Sequence, residues 1–169
     1  FYYMGFVPYL GFIITLASSF SKLWEKVWNP SGPVKFALGL IFVAVGFFAL
    51  SYGSLSIPQG AKTATVSMIW LILAYFFHTL GELCLSPVGL SYVSKLSPKK
   101  FVGLLFGFWF TASAIANFIA GYTGAYIDKI SAMYSLSTFF IIIAALPLSA
   151  ALMLLLFNKK LVKMMHGIK

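Results

Sequence analysis

His78, Glu82 and Ser86 are the residues of this chain whose types and spacing could do chemistry. They stand four residues apart inside a long apolar run, so on an α-helix each is one turn from the next. At 100° per residue, Tyr75, His78, Glu82, Ser86 and Gly89 fall within an arc of about 80°. A charge at bilayer depth costs on the order of 2.5–3.5 kcal/mol on insertion scales, so such a group faces a bundle interior or an aqueous cavity. Glu82 is therefore suited to hold a cationic ligand group or to exchange a proton. The structural alternative is a protonated Glu82 hydrogen-bonded to a neighbouring helix. His78 is placed to hydrogen-bond Glu82, either as a proton-relay member or as a packing polar group. No second histidine shares this face and carboxylates are few, which excludes a metal site.

Pro87 cannot donate to the Leu83 carbonyl, and its ring crowds that turn, so a kink or frayed turn is expected just beyond Glu82. Gly81 and Gly89 leave room for a close backbone or a ligand. Pro87 with Gly89 thus reads as a helix hinge, of the kind that forms midplane sites in transporters. In a later run, Ala112, Ala116, Ala120 and Gly124 repeat every four residues, with Ser113, Asn117, Gly121 and Ala125 one residue behind. That spacing favours close helix packing. Trp109 and Ser113 lie one turn apart at its start, and a Trp away from the interfacial belt is a candidate for lining a cavity.

The elements that must position these groups follow from composition. Of 169 residues, 61% are hydrophobic and only 9% charged, whereas a soluble domain is nearer half apolar and a quarter charged. Lipid must be the solvent, and the class is an all-α membrane protein. Five runs are long enough to span: about 1–20, 34–52, 66–93, 102–127 and 134–157. The single cysteine, Cys84, excludes a disulfide framework, and its apolar helix makes it a buried small residue. The absence of a nucleophile–base pair, metal set or phosphate loop excludes an enzyme. Phe1 already lies inside an apolar run, which points to a piece of a longer protein.

All of the 12 positive residues are lysine. They occur in short clusters between the apolar runs rather than on one patch, which argues against a nucleic-acid partner. With five alternating spans, Lys22, Lys26, Lys35, Lys95, Lys99, Lys100, Lys159, Lys160, Lys163 and Lys169 share one face, against Lys62 and Lys129 on the other. The positive-inside rule makes the lysine-rich face, and with it the C-terminus, cytoplasmic. The lysines of the tail read as a topology signal, or alternatively as an anionic-lipid patch.

The segment Gly81-Glu82-Leu83-Cys84-Leu85-Ser86-Pro87-Val88-Gly89-Leu90-Ser91, followed by Lys95-Leu96-Ser97-Pro98, resembles a signature of the proton-dependent oligopeptide transporter family, within the major facilitator superfamily. Pro33-Val34-Lys35-Phe36-Ala37-Leu38-Gly39 is similar to the start of that family's ninth helix. Phe108-Trp109-Phe110 through Asn117 and Gly121 is similar to its eleventh. The resemblance implies a major-facilitator-type helical bundle, of which this chain gives five transmembrane helices corresponding to the eighth to twelfth, in a partial C-terminal six-helix-type domain over residues 1–169.

It further implies proton-coupled uptake of di- and tripeptides across the inner membrane, with no cofactor and protons as the coupling ion. Glu82, Ser86, Trp109 and Ser113 would bind the substrate, Glu82 receiving the peptide's amino group. The implied partners are the peptide, membrane lipid and the N-terminal half of the same transporter. That half carries the family's acid–arginine cluster, and this chain has no arginine, so alone it holds half a pocket. One departure stands out: the family's eighth helix usually carries Asn-Pro, and here the pair is Val7-Pro8. Valine cannot hold a peptide backbone by a side-chain hydrogen bond. A symporter for an amino acid or nitrate therefore stays open, as does a membrane assembly subunit that transports nothing.

Overall fold

The chain divides into two units, Phe1–Ser31 and Gly32–Lys169. A computed structural model describes residues 30–58 and 65–165. The expected first span, 1–20, and Val7 lie outside the described residues.

Every regular element of the second unit among the described residues is a helix. Its elements are α1 (Gly32–Gly53), extended by a 3₁₀ turn (Ser54–Ser56), α2 (Ile69–Leu96), α3 (Val102–Ala125), the short α4 (Ile127–Met133) and α5 (Leu136–Met164). Four segments have the length and apolarity to cross a membrane: Gly32–Ser56, Ile69–Leu96, Lys99–Ala125 and Leu136–Met164. The expected spans are all present in this region, with their boundaries moved. The span expected over 66–93 begins at residue 69. The last continues to Met164 rather than stopping near 157, because Lys159, Lys160 and Lys163 are good helix formers that can project past the apolar core.

Local chemistry explains the ends. α2 stops at Ser97, whose extended backbone (ψ 135°) is what a residue before Pro98 prefers. α5 begins at Ser135, whose side chain accepts a hydrogen bond from the Thr138 N–H at 3.2 Å. The interiors are less obedient to the sequence signals. α2 runs without a break through Pro87, and α5 through Pro147. The kink or frayed turn expected at Pro87 is not seen as an interruption of the helix.

α1 is the central helix, with α2 and α5 packed along it. Its contact with α2 is built on glycine. Gly32, Gly39, Gly46 and Gly53 recur every seven residues and are all buried. Each receives a side chain from α2: Tyr92 at Gly32, Leu85 at Gly39, His78 at Gly46 and Trp70 at Gly53. The α2 positions descend as the α1 positions rise, so the two helices are antiparallel. The fit is tight, since a β-carbon added at Gly46 would lie 2.5 Å from His78 Cδ2, and one at Gly39 would lie 2.8 Å from Leu85 Cγ. Gly81 returns the favour from α2, where a β-carbon would meet Val43 Cγ2 at 2.6 Å.

A second repeat of seven faces α5. Ala37, Ala44 and Ser51 of α1 are buried, and so are Ser137, Ala144 and Ala151 of α5. The Ser51 hydroxyl lies 2.7 Å from the Ser137 hydroxyl and 3.1 Å from the Ser137 carbonyl oxygen, to which it donates. That pair fixes an antiparallel register in which Ala44 stands opposite Ala144. A seven-residue repeat keeps two small-residue seams facing their partners in a left-handed crossing near 20°. Close approach through small residues replaces the hydrophobic drive that lipid removes.

The antiparallel register places the ends of the helices. Tyr52, Trp70, Tyr122, Tyr126 and Tyr134 gather at one end. There the tilted rings of Tyr52 and Trp70 meet at 4.9 Å, those of Tyr122 and Tyr126 at 5.0 Å, and Lys129 lies 5.3 Å over the Tyr126 ring. Amphipathic rings at one level are what a membrane–water interface selects. Lys35, Lys95, Lys99, Lys100, Lys159, Lys160 and Lys163 gather at the opposite end.

Candidate functional site

The site is built on α2. The face of this helix turned to α1 carries Ala74, Gly81 and Cys84, all buried. Cys84 is fully enclosed, in keeping with its reading as a small core residue. Glu82 comes one residue after Gly81, about 100° around the helix, which leaves its carboxylate exposed.

Ser86 lies one turn further on and donates its hydroxyl hydrogen to Glu82 Oε1. The hydrogen bond holds one carboxylate oxygen on the helix surface. The other oxygen keeps its lone pairs for a ligand, and a carboxylate so presented suits an ammonium group.

His78 takes a different direction. Its ring fills the notch at Gly46, stacks on Phe47 at 4.7 Å and hydrogen-bonds to the Val43 backbone. Its Nε2 is buried without a hydrogen-bond partner. The structure therefore does not join His78 to Glu82. The polar stripe seen in the sequence is divided, because His78 lies at the edge nearest α1 and is captured there, while Glu82 and Ser86 remain outward. Tyr75, on the outward part of the stripe between Glu82 and Ser86, is exposed.

Trp109 approaches α2 from α3. Its indole lies directly over Gly89, in the space a β-carbon would need. Gly89 is thus filled by a tryptophan rather than left as room for a hinge. Together with Phe36, Tyr92, Val93 and Leu105, these two residues line an apolar groove of about 500 Å³. Ser113 is exposed, and its hydroxyl donates to the Trp109 carbonyl oxygen at 3.1 Å. The structure thus brings Glu82 to Ser86 and Trp109 to Gly89, and it does not join Ser113 to the Glu82 pair.

None of α3's residues is buried, and added β-carbons at Gly103, Gly107, Gly121 and Gly124 would meet open space. The small-residue stripe expected to pack closely therefore meets no partner among the described residues. Glu82 on α2 and Ser113 on α3 are both exposed.

Apolar helices of spanning length, with a carboxylate presented on one of them, define a multi-pass membrane protein. The chain belongs to the POT family, whose model matches residues 10–142. It is 37% identical over 150 residues to the peptide transporter YePEPT of Yersinia enterocolitica subsp. palearctica serotype O:3 (strain YE-P4), covering 86% of this chain and 29% of that protein. It is 38% identical over 111 residues to the dipeptide and tripeptide permease A of Citrobacter koseri (strain ATCC BAA-895 / CDC 4225-83 / SGSC4696), covering 60% of this chain and 21% of that one. A crystal structure of a POT family transporter in complex with a thioalcohol-conjugated peptide superimposes with a TM-score of 0.74 at 29% identity, covering 88% of this chain and 29% of the other. The expected all-α, major-facilitator-type fold is borne out, as is membership of a transporter family. The chain spans less than a third of the length of these relatives, and it is a multi-pass membrane protein.

Proposed function

We propose that this chain forms the C-terminal part of a proton-coupled di- and tripeptide symporter, working with an N-terminal half to carry peptides inward across the inner membrane. The observation that carries the reading is the Glu82 carboxylate, exposed on a membrane-spanning helix and held by Ser86 one turn away. A peptide's ammonium group is the natural ligand for such a carboxylate, in a charge-assisted hydrogen bond. Peptide transporters among the relatives support the choice of substrate. Trp109 and Ser113 are assigned to the same substrate pocket, with Trp109 as its apolar wall. Protons are the coupling ion, and the groups that couple them lie in the N-terminal half, since this chain offers no arginine to pair with an acid.

The lysine-rich ends of α1, α2 and α5 favour a cytoplasmic C-terminus. Val7 in place of the family's usual asparagine favours a second reading, in which the solute is an amino acid or nitrate.

The test is Glu82→Gln in the full-length transporter reconstituted in vesicles. Uptake of a labelled dipeptide driven by an inward proton gradient is expected to fall to background. Wild-type uptake in that variant would reject the role given to Glu82. Stabilisation of the wild-type protein against heat by amino acids or nitrate, and not by dipeptides, would select the second reading.

A further inference from the structure

One face of α2 carries an ordered series of chemistries from Glu82 toward the lysine-bearing end. Glu82, Ser86 and Gly89 fall within an arc of about 60°, and Gly89 stands about 10 Å beyond Glu82 along the axis. The carboxylate comes first, then the Ser86 hydroxyl that donates to it, then the Trp109 indole over Gly89. Beyond the indole, Val93 and Leu96 continue the same face as one wall of the apolar groove of about 500 Å³.

Trp109 keeps its place in this series through Gly89. A β-carbon at Gly89 would stand 2.8 Å from both Cζ2 and Cζ3 of the indole, with Cη2 nearer still. The edge of the six-membered ring thus occupies the notch itself, against the α2 backbone. The contact is with a rigid ring and not with the end of a flexible chain, so a methyl group there forces the indole off the helix. Nothing in the helix calls for glycine. α2 is regular on both sides of residue 89, and alanine is the better residue in a helix interior. Among the described residues, Gly89 is also the one glycine of α2 or α3 that is filled from the other helix.

We infer that Gly89 determines which peptides the transporter prefers, by seating Trp109. The inference rests on the peptide reading above. With its ammonium group at Glu82, a dipeptide carries its second α-carbon about 5 Å away, half the distance to Gly89. A phenylalanine ring at that position spans the remainder and meets the indole, where offset or edge-on ring packing is favourable. An alanine methyl does not reach. Gly89 touches no substrate in this arrangement. It is a positioning residue that acts through Trp109.

The test compares proton-driven uptake of Ala-Phe and Ala-Ala by the full-length transporter in vesicles, read as the ratio of their kcat/KM values. A general loss of stability or of active protein lowers both and leaves the ratio alone. The wild-type protein is expected to favour Ala-Phe about fivefold. Gly89→Ala is expected to abolish the preference, by raising the KM for Ala-Phe and leaving that for Ala-Ala. Gly103→Ala, which adds the same methyl in open space on α3, is expected to keep the wild-type ratio. Trp109→Phe, whose shorter ring leaves the notch empty, is also expected to lose the preference. Adding Gly89→Ala to Trp109→Phe should then restore about threefold, because the methyl fills the notch and seats the smaller ring.

A wild-type ratio in Gly89→Ala, or an equal loss in Gly103→Ala, would overturn the seat. So would a double variant no better than Trp109→Phe, since Gly89 would then act without the indole. The double variant relieves the crowding, which keeps the test decisive if Gly89→Ala alone does not fold. Uptake of neither dipeptide by the wild-type protein would overturn the peptide reading and this inference with it. Uptake of both with equal efficiency would overturn the role of Gly89 alone.

Discussion

Glu82 and His78 are one turn apart on one helix and have become different kinds of residue. Glu82 is outward and hydrogen-bonded by Ser86. His78 is inward, against Gly46 and Phe47. Two expectations follow. Ser86→Ala removes a hydrogen bond to a charged group, worth at the low end about 1 kcal/mol at an exposed site. In full-length protein it should raise the KM for dipeptide about fivefold and leave proton-driven uptake intact, with Ser86→Thr restoring the wild-type value. His78→Leu keeps the Gly46 notch filled and removes an imidazole that the structure does not join to Glu82. It should leave uptake and its pH profile within about twofold of wild type, and a tenfold loss would return His78 to the coupling machinery. The identity of Glu82 and Ser86 as a pair was legible in the sequence, because a spacing of four decides which groups meet along one helix. The fate of His78 was not. An arc of about 80° contains both a packed edge and an open edge, and only the neighbouring helix says which is which.

At the scale of the helices, the existence and order of α1, α2, α3 and α5 could be read from apolar length alone. The ends shifted by a few residues where lysines extended a helix or a proline stopped it. The contacts between helices were hidden. Gly32, Gly39, Gly46 and Gly53 look like isolated glycines in an apolar run, and their meaning appears only beside Tyr92, Leu85, His78 and Trp70. The repeat of seven was the signal available, and it stood unrecognised beside the more conspicuous four-residue stripe of α3, which meets no partner among the described residues. Substitution at the centre of the seam should be costly. Gly46→Leu places a branched side chain where His78 now packs and should destabilise by about 1–3 kcal/mol, the usual cost of overpacking. A thermal-unfolding midpoint several degrees lower in detergent would report it. Val45→Leu, at the neighbouring exposed position, should leave the midpoint unchanged, and an equal drop in both would disconnect the glycine seam from stability.

The described unit from Gly32 onward is asymmetric from end to end, and that asymmetry makes the last prediction. Two independent features agree on it. The antiparallel seams of α1 with α2 and α5 bring Tyr52, Trp70 and Tyr134 to one end, and the short connection from α3 to α5 carries Tyr126, with Lys129 over its ring. The same seams bring the lysine clusters of α1, α2 and α5 to the other, which is the arrangement the lysine count in the sequence implied. Lysine and arginine near the ends of spans are retained on the cytoplasmic side during insertion, so the two ends should be accessible from opposite faces of the membrane. Single cysteines at Lys100 and Lys129 make this measurable, in a full-length Cys84→Ser background that removes the buried thiol. A membrane-impermeant maleimide added to intact cells should label Lys129→Cys at once and Lys100→Cys only after the membrane is opened. The reverse pattern would place the C-terminus outside and invert the transport direction assigned to the Glu82 face. Labelling of both from outside would mean that α3 does not cross the bilayer, and the exposed side of Glu82 would then face water rather than the interior of a membrane bundle.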